Sequence, residues 1–341
     1  MVLAAICAAL AALATFAVGS SARRLGAALG LLDFPDAAGG RKQHAQVTPL
    51  VGGLALAGSC VAALVATFLV VPDLGPGVER HVAWLAVAVA AMFMIGVADD
   101  RFQLSVRARL GIAVLVLLLV VVTAPDFGLA FLRFGREAEV VVVGHLAVPF
   151  TLLCLVGLLN AVNMADGKNG IVIGLGLIWS VVLLLRLPTA MMPVMAAGTG
   201  SLLVLLWFNM RGCLFLGDSG SYALSALFGL LAIYAYNHDF ARARADDVVL
   251  MFAVPVLDTI RLLVVRSLQR RSPFAGGRDH LHHFLYARAG WPRGLWIYLA
   301  LVGVPNAAAV AFPGTALVWL GVTAVAYVVV LHVAQRPAVT A

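Results

Sequence analysis

The chain has 341 residues, 63% of them apolar and only 11% charged, with a net charge of +7 from 23 Lys+Arg against 16 Asp+Glu. A soluble chain runs near half apolar and a quarter charged, so this one cannot cover its own surface with polar groups, and it is too apolar to be disordered. Its solvent is a lipid bilayer, and the placement of its few charges carries the functional information.

A spanning helix needs about 20 mostly apolar residues. The first such run is 2–20; no basic residue precedes it and Arg23-Arg24 follow it, so it reads as a membrane helix with its N-terminus outside rather than a secretory signal. Further runs at 50–71, 82–98, 110–124, 147–164, 170–187, 190–209, 222–237, 247–266, 295–312 and 315–334 bring the predicted spans to eleven, with 110–124 short for a crossing. Between the fourth and fifth, FLRFGREAEVVVV (131–143) reads as a short β-hairpin on the outer face. Cys7, Cys60, Cys154 and Cys213 are isolated, which argues against a disulfide framework or a structural zinc site. With no linker or repeat, the expectation is one all-α integral-membrane domain over 1–341.

Eleven spans put the termini on opposite sides. The outer side then holds Arg80, Arg133, Arg136, Arg186, Arg242 and Arg244, and the other seventeen basic residues fall on the inner side, which the positive-inside rule makes cytoplasmic. The acids divide evenly, but the inner ones (Asp33, Asp36, Asp99, Asp100, Asp166, Asp218, Asp258, Asp279) mostly sit at helix ends beside Asn, Gly, Ser or His. Chemistry is expected on that face.

Six stretches there carry it. The first loop, with RKQHAQVTPLVGG, offers Arg41, Lys42 and His44 as donors to phosphate, or is a plain loop before a helix start. Asp99-Asp100 closes the third span at the negative end of a helix dipole; it is either a solvated end neutralised by Arg101, Arg107 and Arg109 or a carboxylate pair for Mg²⁺ or a proton. Asn160, Asn163 and Asp166 recur every three residues in LLNAVNMADGKNG, with Asn169 beyond, and form a stripe that must face protein or water. That stripe is interhelical glue or a site for a nucleotide and a metal. Gly217-Asp218-Ser219-Gly220-Ser221 opens the eighth span, as a helix cap, as a phosphate-binding helix start with Asp218 on its metal, or as both. In the last basic loop, 267–294, Arg278, His280, His282 and His283 read as donors to phosphate or sugar; without a nearby Cys the HLHH run is a poor zinc site. One turn before Arg261, Asp258 is expected to form a buried ion pair with it, ahead of direct contact with a ligand, since an unpaired acid inside a span costs about 2.5–3.5 kcal/mol.

Taken in order, RKQHAQVTPLVGG, ADDRFQLSVR, NAVNMADGKNG, LGDSGS, PVLDTIR and RDHLHH resemble the signatures of the polyprenyl-phosphate N-acetylhexosamine-1-phosphate transferase superfamily, glycosyltransferase family 4. The histidine stretch is closer to its GlcNAc-1-phosphate branch than to its phospho-MurNAc-pentapeptide branch. The resemblance implies transfer of HexNAc-1-phosphate from a UDP-HexNAc to undecaprenyl phosphate at the cytoplasmic face of a bacterial inner membrane, with release of UMP, at the start of lipid-linked glycan synthesis. It implies Mg²⁺, with Mn²⁺ as a substitute, on Asp218, Asn163 and Asp166. Asp99, Asp100 and Asp218 would be catalytic, and Lys42, His44, Asn163, Asp166, Asn169, Arg278, His280, His282 and His283 would bind substrate. The family's bacterial members commonly have Asp where this chain has Asn169, near the nucleobase, which bears on sugar-nucleotide preference. Expected partners are the UDP-sugar, undecaprenyl phosphate and the bilayer, with a homodimer left open and no nucleic acid. A secondary transporter is the rival reading, but transporters place polar residues at the bilayer midplane of two related halves, and here they crowd one face.

Overall fold

A computed structural model describes residues 1–35, 46–72, 74–135, 140–239, 242–272 and 277–336. Among them are thirteen helices: α1 (Val2–Ser20), α2 (Ala22–Leu29), α3 (Gly52–Val70), α4 (Pro76–Phe102), α5 (Val106–Thr123), α6 (Ala147–Ala165), α7 (Ile171–Leu184), α8 (Met192–Met210), α9 (Gly217–His238), α10 (Ala245–Leu268), α11 (Leu281–Ala289), α12 (Arg293–Ala311) and α13 (Ala316–Gln335). Ten are long and apolar enough to cross a membrane. In a bilayer every backbone polar group must be satisfied within the segment, which a helix does by itself. Side chains such as Leu13, Leu115, Leu153, Val318 and Val325 remain exposed on the outside of the bundle, as lipid-facing residues would.

Each predicted span matches one helix. The short run at 110–124 is lengthened at its start, where Ser105 caps α5 by accepting the Ala108 N–H at 3.2 Å. The eleventh, α7, has 14 residues, about 21 Å at 1.5 Å per residue, less than a hydrocarbon core of about 30 Å. It still joins the two ends of the bundle. Gly170, at its start, donates its N–H to Asn209 at the end of α8 (2.7 Å), while Arg186, just past its end, pairs with Asp247 at the start of α10 (2.9 Å). Ten long helices and the short α7 thus correspond to the eleven predicted spans.

Helix α9 is the axis. Every residue from Ser219 to Tyr236 is buried, and its neighbours are α3, α4, α6 and α7, with α10 alongside. Its small residues permit this, because without a hydrophobic drive between helices in lipid, close backbone approach supplies the packing energy. A Cβ on Gly53 of α3 would overlap Gly220, one on Gly96 of α4 would overlap the Ser219 backbone, and one on Gly229 would press on Leu155 and Leu158 of α6. Across the bundle, Thr15 of α1 and Ser201 of α8 share a buried hydrogen bond of 2.7 Å.

Two small antiparallel ribbons complete the fold. β1 (Leu32–Asp33) pairs with β2 (Thr48–Pro49), closing the first loop at its root, and β3 (Phe131–Leu132) pairs with β4 (Val141–Val142) in the register Phe131↔Val142. The second is the hairpin expected at 131–143; its tip, 136–139, is outside the described residues. That hairpin lies at the end of the bundle away from Asp99, Asp100 and Asp218: Tyr236, near the end of α9, accepts the Arg133 N–H (3.1 Å) and donates to the Phe131 carbonyl (2.9 Å).

Two short helices were not legible as spans. α2 carries Arg23 and Arg24 on an exposed face. α11 takes over part of the stretch read as a loop at 267–294, so His282 and His283 ride on a helix and His280 stands at its N-cap position.

Candidate functional site

The carboxylates separated by more than a hundred residues in sequence meet at one end of the bundle. Asp99 and Asp100 lie in the last turns of α4, Asp166 is the residue after α6, and Asp218 is in the first turn of α9. Asp99 is buried; its Oδ2 accepts from Arg109 of α5 at 3.0 Å and from the Tyr222 hydroxyl at 2.8 Å. Of the three arginines expected to neutralise the pair, Arg109 does so. Arg101 instead donates to the Leu29 carbonyl at 3.2 Å and lies over the Phe102 ring. Asp100 turns both oxygens onto the start of α9, accepting the Asp218 N–H at 2.9 Å and the Ser219 N–H at 3.0 Å.

Asp218 itself is not a cap. The N-cap position of α9 is Leu216, with no side-chain cap bond, so the capping alternative for Asp218 and Ser219 is overturned. The Asp218 carboxylate instead accepts the Asn163 amide N–H from the end of α6. The expected stripe on α6 is shorter than predicted. Asn163 and Asp166 belong to it, whereas Asn160 bonds back to its own helix at the Val156 carbonyl (2.8 Å). Asp166 closes the group. Burial, with the charges of Asp218 and Asp100 adding to it, pushes its carboxyl up to about 8.

The loop after α6 meets the histidines. A Cβ on Gly167 would run into the His282 imidazole. His282 is buried and neither ring nitrogen has a hydrogen-bond partner, a costly arrangement unless something else engages it. Its ring lies 5.3 Å from His280 in a stack and 4.2 Å from His283. Burial and the neighbouring histidines hold His282 well below its ordinary value, and burial, His280 and Lys168 bring His283 down to about 4. Both are held toward the neutral form, so positive charge here comes from Lys168 and the exposed Arg278 rather than from His282 and His283. Lys168 lies 3.7 Å over the Tyr286 ring, and burial together with Arg278 lowers its ammonium. The Asn169 carbonyl accepts the Trp291 indole N–H at 3.1 Å, which fixes the backbone at that position.

The expected Asp258–Arg261 ion pair is present at 2.9 Å, as part of a larger network. Asp258 also accepts from His280 Nδ1 at 3.0 Å, from the Leu281 N–H at 3.2 Å and from the Tyr327 hydroxyl of α13 at 2.7 Å. Asp279 pairs with the buried Arg266 at 2.7 Å. His280 thus uses Nδ1 to hold the start of α11. Sequence reasoning missed Tyr222, Tyr327, Trp291 and Arg266. Their partners are 123, 69, 122 and 13 residues away, and no local pattern marks such pairings.

The first loop is rooted at the same place. Backbone hydrogen bonds run from Phe215 N–H to the Pro49 carbonyl (2.9 Å) and from the Gly52 and Gly53 N–H groups to the carbonyls of Phe215 and Leu216 (3.0 Å each). Arg41, Lys42 and His44 lie outside the described residues.

No three His, Cys, Asp or Glu side chains among the described residues converge as a ready metal cage. The donors that do gather are oxygens: Asp218, Asp166 and the amide of Asn163. That set suits a hard cation, and Mg²⁺ is commonly bound by one or two carboxylates with waters and substrate phosphates completing its shell. The charges of Asp218 and Asp100, which add to burial in raising Asp166, are what such a cation would offset.

Residues 82–236 match the family model described as glycosyl transferase family 4. The chain is 30% identical over 326 residues to the decaprenyl-phosphate N-acetylglucosaminephosphotransferase of Mycolicibacterium smegmatis, covering 85% of this chain and 79% of that protein. It is 27% identical over 282 residues to the probable undecaprenyl-phosphate N-acetylglucosaminyl 1-phosphate transferase of Bacillus subtilis (78% and 72%). Against the undecaprenyl-phosphate alpha-N-acetylglucosaminyl 1-phosphate transferase of Escherichia coli K12 it is 29% identical over 287 residues (79% and 72%).

Proposed function

This chain belongs to glycosyl transferase family 4, the polyprenyl-phosphate N-acetylhexosamine-1-phosphate transferases, and on that premise we propose that it transfers HexNAc-1-phosphate, with GlcNAc the favoured sugar, from a UDP-HexNAc to undecaprenyl phosphate and releases UMP. It is a phosphotransferase. The observation that carries the reading is the convergence of Asp218, Asn163 and Asp166 with the Gly167–His282 contact at one end of the bundle.

In this reaction an oxygen of the acceptor phosphate attacks the sugar-bearing phosphorus of the donor, a new P–O bond forms, and the bridging P–O bond to UMP breaks. Such transfers need positioning and charge neutralisation more than covalent help from the protein. The acceptor phosphate is already largely ionised at pH 7, so a strong base is not required. Mg²⁺, with Mn²⁺ as a substitute, would be held by Asp218, Asp166 and Asn163 and would offset the negative charge of the pyrophosphate. Asn163 gives its N–H to Asp218, so its own ligation would use the amide oxygen. Lys168 and Arg278 would attract the anionic donor, and the neutral His282 and His283 would offer N–H groups to phosphate or sugar oxygens. Asn169, anchored by Trp291, would lie near the base. Lys42 and His44 are proposed as further phosphate donors from a loop rooted beside Leu216.

The site end would face the cytoplasm, as the distribution of arginines supports. A membrane-impermeant maleimide should then reach the exposed Cys213 from the cytoplasmic side only. The deciding experiment gives the purified chain undecaprenyl phosphate, Mg²⁺ and a panel of UDP-sugars. UMP release, greatest with UDP-GlcNAc and stopped by EDTA, is expected; metal-independent release, or none with any sugar, would refute the reading.

A further inference from the structure

We propose that Asp100 is a positioning residue for Asp218, capping α9 from a neighbouring helix, and is not the group that takes a proton from the acceptor. The inference rests on the proposed reaction for what Asp218 does, and on geometry alone for how Asp218 is held. The first N–H groups of a helix have no partner within it. A Ser, Thr, Asp or Asn at the N-cap usually supplies one, but that position in α9 is Leu216. Asp100 supplies two. One oxygen takes the N–H of Asp218 and the other the N–H of Ser219, at 2.9 and 3.0 Å. A carboxylate there also meets the positive end of the helix dipole.

The surroundings are shaped for this contact. Gly217 has φ +75°, and a Cβ there would stand 2.7 Å from Asp100 Oδ2. One turn before Asp100, Gly96 lets α4 close on the Ser219 backbone; on the other side Gly53 of α3 closes on Gly220. The start of α9 is thus clamped between two helices, with Asp100 as the polar part of the clamp. Both carboxylate oxygens are thus already engaged by backbone N–H groups. The adjacent Asp99, held by Arg109 and Tyr222, ties α4 to α5 and to the next turn of α9. The pair therefore divides its work between two anchors of the helix that carries Asp218.

The test is hydrogen–deuterium exchange on the full chain in detergent, read at the 218–219 amides, together with turnover across pH and Mg²⁺ concentration. Asp100→Asn keeps one acceptor and loses the other, so those amides should exchange roughly tenfold faster, while α13 exchanges as in the wild type. Turnover should fall with a pH profile of unchanged shape and a raised half-saturating Mg²⁺. Gly217→Ala disturbs the same contact from the other side and should reproduce the exchange change; combined, the two should be less than additive. Wild-type exchange at 218–219 in Asp100→Asn would overturn the proposal, as would loss of one limb of the pH profile without faster exchange. If the wild type turned over no UDP-sugar, the proposed function would fail while the exchange arm still decided how Asp218 is held.

Discussion

Tyr327→Phe is a direct probe of whether the last helix places the histidines. Tyr327 is 4% exposed and sits on α13, outside every motif. Its hydroxyl donates to Asp258 Oδ1 at 2.7 Å and accepts from Arg261 Nε at 2.9 Å. Phenylalanine keeps the ring, so no cavity larger than one oxygen opens; two hydrogen bonds go, but Arg261 Nε still reaches Asp258 Oδ1 at 3.3 Å, so the main loss is the bond to the carboxylate, about 1.5–3 kcal/mol. Arg261 still reaches Asp258 at 2.9 Å, so no ion is left unpaired and the larger cost of about 3–5 kcal/mol for a broken buried pair does not apply. That larger figure is the expectation for Asp258→Ala. With unfolding entropies near 2.1 cal/mol/K per residue, a loss of about 2 kcal/mol lowers the midpoint of thermal unfolding by about 3 °C. Because Asp258 also holds His280 and the Leu281 N–H, amides 280–283 should lose protection and UMP release should slow. A wild-type midpoint together with unchanged exchange at 280–283 would refute the claim that α13 positions α11.

Asp218→Ala should abolish UMP release with little change in the melting midpoint, because its side chain caps no helix; near-wild-type turnover would remove Asp218 from the reaction. Gly167→Ala forces a methyl group into the His282 imidazole; overpacking of this kind costs about 1–3 kcal/mol, and turnover should drop tenfold or more, with unchanged kinetics counting against the contact. Burial alone would raise the Asp279 carboxyl, but the Arg266 hydrogen bond and charge outweigh it and hold the group below its ordinary value. The stability from this pair is therefore complete above the unfolded carboxylate pKa of about 4 and is lost as pH falls through the lower folded value. Protection of amides 279–283, corrected for intrinsic exchange, should stay level from pH 6 to about 4.5 and decline below; a decline already complete at pH 5 would show that another group governs it.

The motifs themselves were legible because each is a local anomaly: acids, amides and histidines standing in apolar sequence at the ends of spans. Asp99, the Asn163 and Asp166 of NAVNMADGKNG, Asp218 and the HLHH run could be found that way, and the structure does bring them to one end. What each group does there was not legible. The sequence offered Asp218 as its own helix cap, yet the cap is Asp100, 118 residues earlier. It offered Asn160 as part of a polar stripe, yet that side chain folds back on its helix.

The composition by itself determined a membrane protein, and hydropathy with the placement of charges picked out eleven apolar runs and one polar end. These follow from local rules, since about 20 apolar residues and satisfied backbone groups define a span wherever it sits. Only the tertiary structure decided that α9 is the axis, that α7 joins the two ends of the bundle although short, and that the paired aspartates face two different partners. Those outcomes depend on which small residues let which backbones approach, and on hydrogen bonds between helices far apart in the chain. No window of sequence contains both halves of such a contact.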